Sequence, residues 1–255
     1  MIPTRNTIPY TARPWATGSI IALCAAAFLY QMTLSERGVE AFLSAYALVP
    51  ARYTDGGWAA GQGLGRWDLT PFLTSMFLHG GVLHIVSNLW TLWVFGPALE
   101  DRLGRGRFIA LYLVSGLAAG ILHVAFNFSS LLPALGASGA IAGVIAAYAR
   151  RFPYAWVNVL QPIVIVPVFF MMPALAFAGL WFATQIVQAA GSLALPSGAA
   201  GIAWWAHIGG FVAGWLLVRR LAPATSPFEE AHAAAHSATW PWTAWSRWAS
   251  WWWRR

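Results

Sequence analysis

Long apolar stretches recur along most of this chain, divided by short segments that carry arginine, and this alternation leaves it few ways to fold. A bilayer offers no water to backbone N–H and C=O groups, so such a chain must cross it as helices. Of its 255 residues 59% are hydrophobic and 9% charged, against about 25% charged in an ordinary soluble domain. The expected class is an all-α polytopic membrane protein. The formal charge of +7 is spread over segments that flank the apolar runs, not along one stripe. It therefore sets topology and points away from nucleic acid. A lone Cys24 excludes an intramolecular disulfide and any all-cysteine metal site. Met1–Pro14 is polar and the first apolar run leads into a loop lacking a clear cleavage site, so no cleavable signal peptide is expected.

The pattern predicts six transmembrane helices, at about 17–34, 80–99, 106–126, 136–149, 163–188 and 202–218. The fourth is too short to cross a full bilayer straight. Pro167 and Pro173 interrupt the fifth, so its first part reads as a loop or a kinked approach. Segment 1–16 is expected as a cytoplasmic N-terminal stretch, 17–221 as the membrane domain and 222–255 as a cytoplasmic tail. Lysine is absent. With both termini inside, only Arg37, Arg52 and Arg66 fall outside, all in the first loop, as the positive-inside rule favours.

Ser138 opens the fourth helix and His207 lies in the sixth, each about twelve positions before an arginine pair, Arg150-Arg151 or Arg219-Arg220. At about 1.5 Å per residue both sit roughly 18 Å from the charged end. A serine and a histidine at one depth are a nucleophile and its base in waiting. Each alone has a plainer explanation. Gly136-Ala137-Ser138-Gly139 also suits close helix packing, and a membrane histidine can be a satisfied interhelical hydrogen-bonder. His123 lacks a small-residue motif beside it and reads as structural.

The fourth helix is small on nearly all sides, and His207, Gly210 and Gly214 share one face of the sixth. If those faces meet, the backbones can approach closely enough for a Ser–His hydrogen bond. An oxyanion needs donors, and His79, His84 and Asn88 are candidates, with His84 and Asn88 four apart on one face. Gly136 would leave room for a substrate carbonyl beside the free N–H groups of the serine turn. His79 reads equally as a solvent-facing loop residue, and His84 and Asn88 as interhelical hydrogen-bonders. Other membrane-protease chemistries fail by inventory: there is no lysine for a Ser–Lys dyad and no His-Glu dipeptide for a zinc site, while Asp55, Asp68 and Asp101 lie in loops or at a helix end. No cofactor is called for.

From about Trp67 to Leu221 the chain resembles the rhomboid family of intramembrane serine proteases, of the bacterial six-helix type. The resemblance rests on Phe77-Leu78-His79-Gly80-Gly81, on His84 with Asn88, and on Phe95-Gly96 before Glu100-Asp101-Arg102-Leu103-Gly104. It continues through Gly136-Ala137-Ser138-Gly139-Ala140, Gly179-Leu180-Trp181-Phe182 with Gln185, and Ala206-His207-Ile208-Gly209-Gly210 with Gly214. It implies a catalytic Ser138–His207 dyad, an oxyanion site from His84, Asn88 and the Ser138 N–H next to Gly136, and transmembrane proteins as substrates. It also implies a multi-pass protein of a bacterial plasma membrane. A catalytically silent relative that binds or guides membrane helices is the alternative, and a histidine-based transporter or metal-binding membrane protein is a second. Two departures stand out. Many relatives carry an aromatic residue four positions after the serine, stacked on the histidine, where this chain has Ala142. The Trp-Arg pair often seen in the first loop is here Arg66-Trp67.

The fifth helix, with Phe177, Trp181 and Phe182, reads as a side gate for a substrate helix, Trp181 and Phe182 being the gate residues. The Gly/Ala/Ser-rich loop 189–201 reads as a cap over the site. The tail carries His232 and His236, more simply a solvated linker helix than a metal site. It ends in a Trp/Arg-rich segment, 240–255, expected as a helix lying on the lipid surface.

Overall fold

A computed structural model describes residues 1–193 and 203–222. In chain order these form strand β1 (Ile2–Asn6), helices α1 (Trp15–Thr33), α2 (Glu36–Tyr46), α3 (Ala51–Thr54), α4 (Gly56–Gly61) and α5 (Thr70–Thr74), and then a 3-10 turn, Ser75–Phe77. Helices α6 (Val82–Leu103), α7 (Arg105–Phe126) and α8 (Ser138–Arg151) follow, then strands β2 (Trp156–Ile163) and β3 (Val166–Pro173), and finally α9 (Ala174–Ser192) and α10 (Trp204–Leu221). Four helices, α1, α6, α7 and α9, are long and apolar enough to span a bilayer. Most of the 189–201 loop and the whole Trp/Arg-rich tail with His232 and His236 lie outside the described residues. The start of that loop is no loop, since α9 runs on to Ser192.

The fold is mostly helical but not all-α. The first part of the fifth expected helix, read as a loop or a kinked approach, is a hairpin, and α9 begins only after Pro173. The reason is local. Proline at 162, 167 and 173 removes N–H donors that a helix needs, while the Val, Ile and Phe between them suit an extended chain. The N-terminal segment pairs with this hairpin, giving an antiparallel sheet in the order β1-β2-β3. β1 is tied to α6 by Trp90, whose Nε1–H donates to Pro3 O at 2.7 Å, and by Asn6, whose side-chain amide donates to Val94 O.

The Glu100-Asp101 pair ends α6 and holds the start of α1. The Glu100 carboxylate accepts from the N–H groups of Ala16 and Thr17 and from the Thr17 hydroxyl, all at 2.8 Å, and is 3% exposed. These donors have no intrahelical partner, and a carboxylate at a helix N-terminus also meets the positive end of its dipole. Asp101 accepts from Ala12 N–H at 3.0 Å, docking the segment before the helix.

In the first loop Arg52 is buried and fully engaged. Its guanidinium donates to Ala45 O at 2.9 Å, Gly65 O at 3.1 Å and Asp68 Oδ2 at 2.8 Å. Hydrogen bonds from Thr70, with Arg52 beside it, hold the Asp68 carboxyl below the usual carboxylate range.

Helix α8 is buried along nearly its whole length between α7 and α10. Its small residues make this possible. A Cβ on Gly210 or Gly214 of α10 would collide with the carbonyl oxygens of Gly139 and Gly143 on α8, and one on Gly209 would lie 2.7 Å from Ala118 O of α7. Backbone therefore touches backbone across this seam, as small residues permit in membrane bundles.

Candidate active site

The seam fixes where Ser138 and His207 meet. Ser138 is the first residue of α8, and the strand-like segment before it is clamped by the first loop. Leu48 and Ala134 exchange backbone hydrogen bonds at 2.9 Å, and Gly136 N–H donates to Ser75 O at 2.9 Å. Gly136 has φ +125°, a conformation L side chains rarely adopt, and a Cβ there would lie 2.7 Å from His84 Nε2. Only glycine fits.

His207 sits one turn into α10. Its Nε2 is 2.8 Å from Ser138 Oγ and its Nδ1 is 2.8 Å from Gln185 Oε1 on α9. The amide orientation of Gln185 follows from its other end, where Nε2 donates to Trp181 O at 3.1 Å and to Thr184 Oγ1 at 2.9 Å. With Oε1 as acceptor, His207 Nδ1 carries the proton, and Nε2 presents a lone pair to the serine hydroxyl. The Trp181 ring lies 5.7 Å from the imidazole, tilted by 40°. Gln185 and Trp181 together hold the ring where Ala142, fully buried, offers nothing to stack on it.

On the opposite wall, Asn88 is 7% exposed and its Nδ2 has no hydrogen-bond partner among the described residues. An unpaired buried donor is costly unless something else takes the bond. It lies beside Gly136, where a Cβ would be 3.7 Å away. His84 accepts from Gly80 N–H through Nδ1 at 3.4 Å, leaving its proton on Nε2, the nitrogen that faces Gly136. Two side-chain donors and the free N–H groups at the start of α8 thus converge on one place. A cavity of about 530 Å³ opens there, with His84, Asn88, Ser138, Trp181 and His207 on its wall.

The other sequence candidates are elsewhere. His79 is 1% exposed and does not line the cavity, so it is neither a solvent-facing loop residue nor a donor to the site. Its backbone is clamped by Gln31, which donates to His79 O at 3.0 Å and accepts from its N–H at 3.2 Å, and its ring packs edge-on against His84 at 5.1 Å. It backs His84. His123 bonds Asn127 at 3.3 Å and is structural. The two gate residues separate: Trp181 is on the cavity wall, while Phe182 stacks on Phe211 of α10 at 4.2 Å. Gln185 is the residue at the site to which sequence reasoning assigns no role, and the structure places it against His207. Its spacing of four from Trp181 was the available signal, since it places both on one helix face.

Residues 66–224 match the family model described as "Rhomboid domain". Among curated proteins, the chain is 38% identical over 97 residues to "Presenilin-associated rhomboid-like protein A, mitochondrial" of Danio rerio, covering 37% of this chain and 25% of that protein. It is 40% identical over 83 residues to "Rhomboid protease GluP" of Bacillus subtilis (strain 168), covering 32% of this chain and 15% of that one. With "Rhomboid protein 1, mitochondrial" of Saccharomyces cerevisiae it shares 31% identity over 146 residues, 56% of this chain and 39% of the yeast protein. The matched stretches thus span well under half of each relative.

Proposed function

The chain belongs to the rhomboid family, and we propose that it is an intramembrane serine endopeptidase that cuts other membrane proteins within or beside their transmembrane helices. The observation that carries this reading is the imidazole of His207, bonded at once to Ser138 Oγ and to Gln185 Oε1. Ser138 Oγ attacks the scissile carbonyl carbon as His207 Nε2 takes its proton. The oxyanion is received by the Ser138 N–H, His84 Nε2–H and Asn88 Nδ2–H, with Gly136 leaving space for it. The imidazolium then gives its proton to the leaving amine, and water hydrolyses the acyl-enzyme by the same path in reverse. Gln185 does the orienting that a carboxylate does in a triad, without burying a charge among membrane helices. A dyad held this way argues against the catalytically silent alternative.

The protein is a multi-pass membrane protein. In the proposed topology α8 and α10 complete six passes, with α1 entered and α10 left on the side of Arg150-Arg151 and Arg219-Arg220. The relatives come from mitochondria as well as from a bacterium, so the family does not single out the bacterial plasma membrane. The substrate helix must unwind locally before attack, because its carbonyls are otherwise held in its own hydrogen bonds. The direct test is incubation of the purified protein with transmembrane-helix reporters, product masses locating the cut. A panel left uncut by protein that is folded and reconstituted would overturn the reading.

Two substitutions probe the assigned roles. Asn88→Ala should keep the fold and lower turnover about 10²–10³-fold, as expected for an oxyanion donor; unchanged turnover at saturating substrate would make Asn88 a packing residue. Gln185→Ala should lower kcat roughly 10–10²-fold with KM little changed, because the imidazole loses its tautomer but keeps its Trp181 contact. Gln185→Glu, which restores an acceptor, should recover most of the loss. A change confined to KM, or no rescue by glutamate, would remove Gln185 from the positioning of His207.

A further inference from the structure

The β2–β3 hairpin buries Val157 and Val159 near its base and exposes apolar side chains along β3 and at the turn itself. Val164 is 92% exposed, Ile165 90% and Phe169 68%. No Asp, Glu, Lys or Arg occurs between Arg151 and Arg219, so the hairpin and everything after it up to Val218 are free of formal charge, and the charged side chain of the sheet, Arg5, is on β1. A two-residue hairpin turn with positive φ at its first central position alone favours glycine there. Here the residue at φ +56° is Val164, a β-branched side chain in a conformation that penalises it. A bulky apolar side chain thus stands where glycine would relieve strain.

The sheet lies alongside a membrane span, not beneath it. β1 is bonded to α6 at Val94 and Trp90. These lie nine and thirteen residues from Leu103, at the helix end flanked by Arg102, Arg105 and Arg107. At about 1.5 Å per residue that is roughly 14 and 20 Å up the span. Pairing of Ile2 with Leu160 and of Asn6 with Val157 makes β2 run up the same way, so its tip lies farther up than β1 reaches.

A sheet edge in lipid strands its outward N–H groups, and at the tip a proline pair removes them. With Ile163 and Val166 closing the two-residue turn, antiparallel geometry alternates bonded and outward-facing pairs. The next pair, Pro162 with Pro167, is the outward-facing one, and it lies beyond the end of β1. Neither residue has an N–H to strand. The Pro162 carbonyl is met by the Gln161 side chain, which donates to it at 3.1 Å. Farther down the outer edge of β3, Pro173 likewise has no donor, whereas Phe169 and Met171 keep theirs.

We propose that the β2–β3 hairpin is a lipid-embedded element whose Val164-Ile165 tip rests in the acyl layer of the bilayer beside α6. The test uses the full-length protein with Cys24→Ala, carrying one nitroxide at Val164→Cys or Ile165→Cys, in phosphatidylcholine/phosphatidylglycerol vesicles at high lipid-to-protein ratio. Arg107→Cys, exposed at the charged end, is the aqueous reference. Relaxation by oxygen should exceed relaxation by a water-soluble nickel chelate several-fold at 164 and 165, with the order reversed at 107. Nickel access at the tip equal to that at 107 would put the hairpin in water and overturn the proposal. Exclusion of both relaxants would also overturn it, assigning the tip to a second copy if the spectra show spin–spin broadening and to another segment of this chain if they do not.

Discussion

Ser138→Ala should abolish cleavage, by about 10⁴-fold or more in kcat, and His207→Ala should do the same. Both changes should leave the protein folded. Ser138 is half-buried at the mouth of the cavity, so losing its hydroxyl creates no void in the core, and the Gly139–Gly210 and Gly143–Gly214 contacts that seat α8 on α10 do not involve it. The two residues act as a unit, so the double variant should be no slower than either single one. That non-additivity is the sharper measurement. Independent, multiplying losses would mean that Ser138 and His207 do not share a proton, and full activity in either single variant would remove the dyad altogether.

The parts of this molecule that sequence made legible are those fixed by one-dimensional rules. Helix ends come from apolar length and flanking arginine, and five of the six expected helices start and stop within four residues of those observed, at α1, α6, α7, α8 and α10. The common depth of Ser138 and His207 follows from counting back to the arginine pairs, and their 2.8 Å contact needs only the glycines that the sixth helix displays on one face. What escaped is set by partners distant in sequence. Glu100 marked the end of a helix, yet its work is at the start of α1, more than eighty residues earlier. The hairpin was absorbed into the fifth helix because an apolar strand and an apolar span have one composition. Only the prolines at 162, 167 and 173, read as missing donors, separate the two. Gln185 was noticed as part of a motif, but its role depends on an imidazole that arrives from another helix.

A tether between α6 and α9 should stop cleavage of transmembrane substrates while leaving the dyad reactive. The two helices meet where Phe95 packs on Phe177, with ring centroids 5.6 Å apart, and Phe95 in turn packs on Tyr148 of α8 at 5.0 Å. From that contact both helices lead toward the site, α6 back through Thr91 and Asn88 and α9 on through Trp181 and Gln185. On the expected lateral entry, the aromatic cluster pins the base of the gate and the opening lies above it, where the α9 wall of the cavity is Trp181. Above the cluster α9 is held to α10 by the Phe182–Phe211 stack, a contact made by apolar rings alone. Phe182→Ala should thus loosen the gate and raise cleavage. Trp181→Ala carries a cost as well, because the same ring packs on His207, so its gain should be smaller or absent. For the tether, Ser87→Cys on α6 and Gln188→Cys on α9 lie about two and three turns above the pinned base, and a cleavable bis-thiol linker would join them. Cys24 is fully buried and out of its reach. The linked protein should still accept a small serine-directed fluorophosphonate at Ser138, yet cut a transmembrane reporter at least about tenfold more slowly, with full recovery once the linker is cleaved. A linked protein that cuts the reporter at the unlinked rate would show that substrates reach Ser138 by some route other than between α6 and α9.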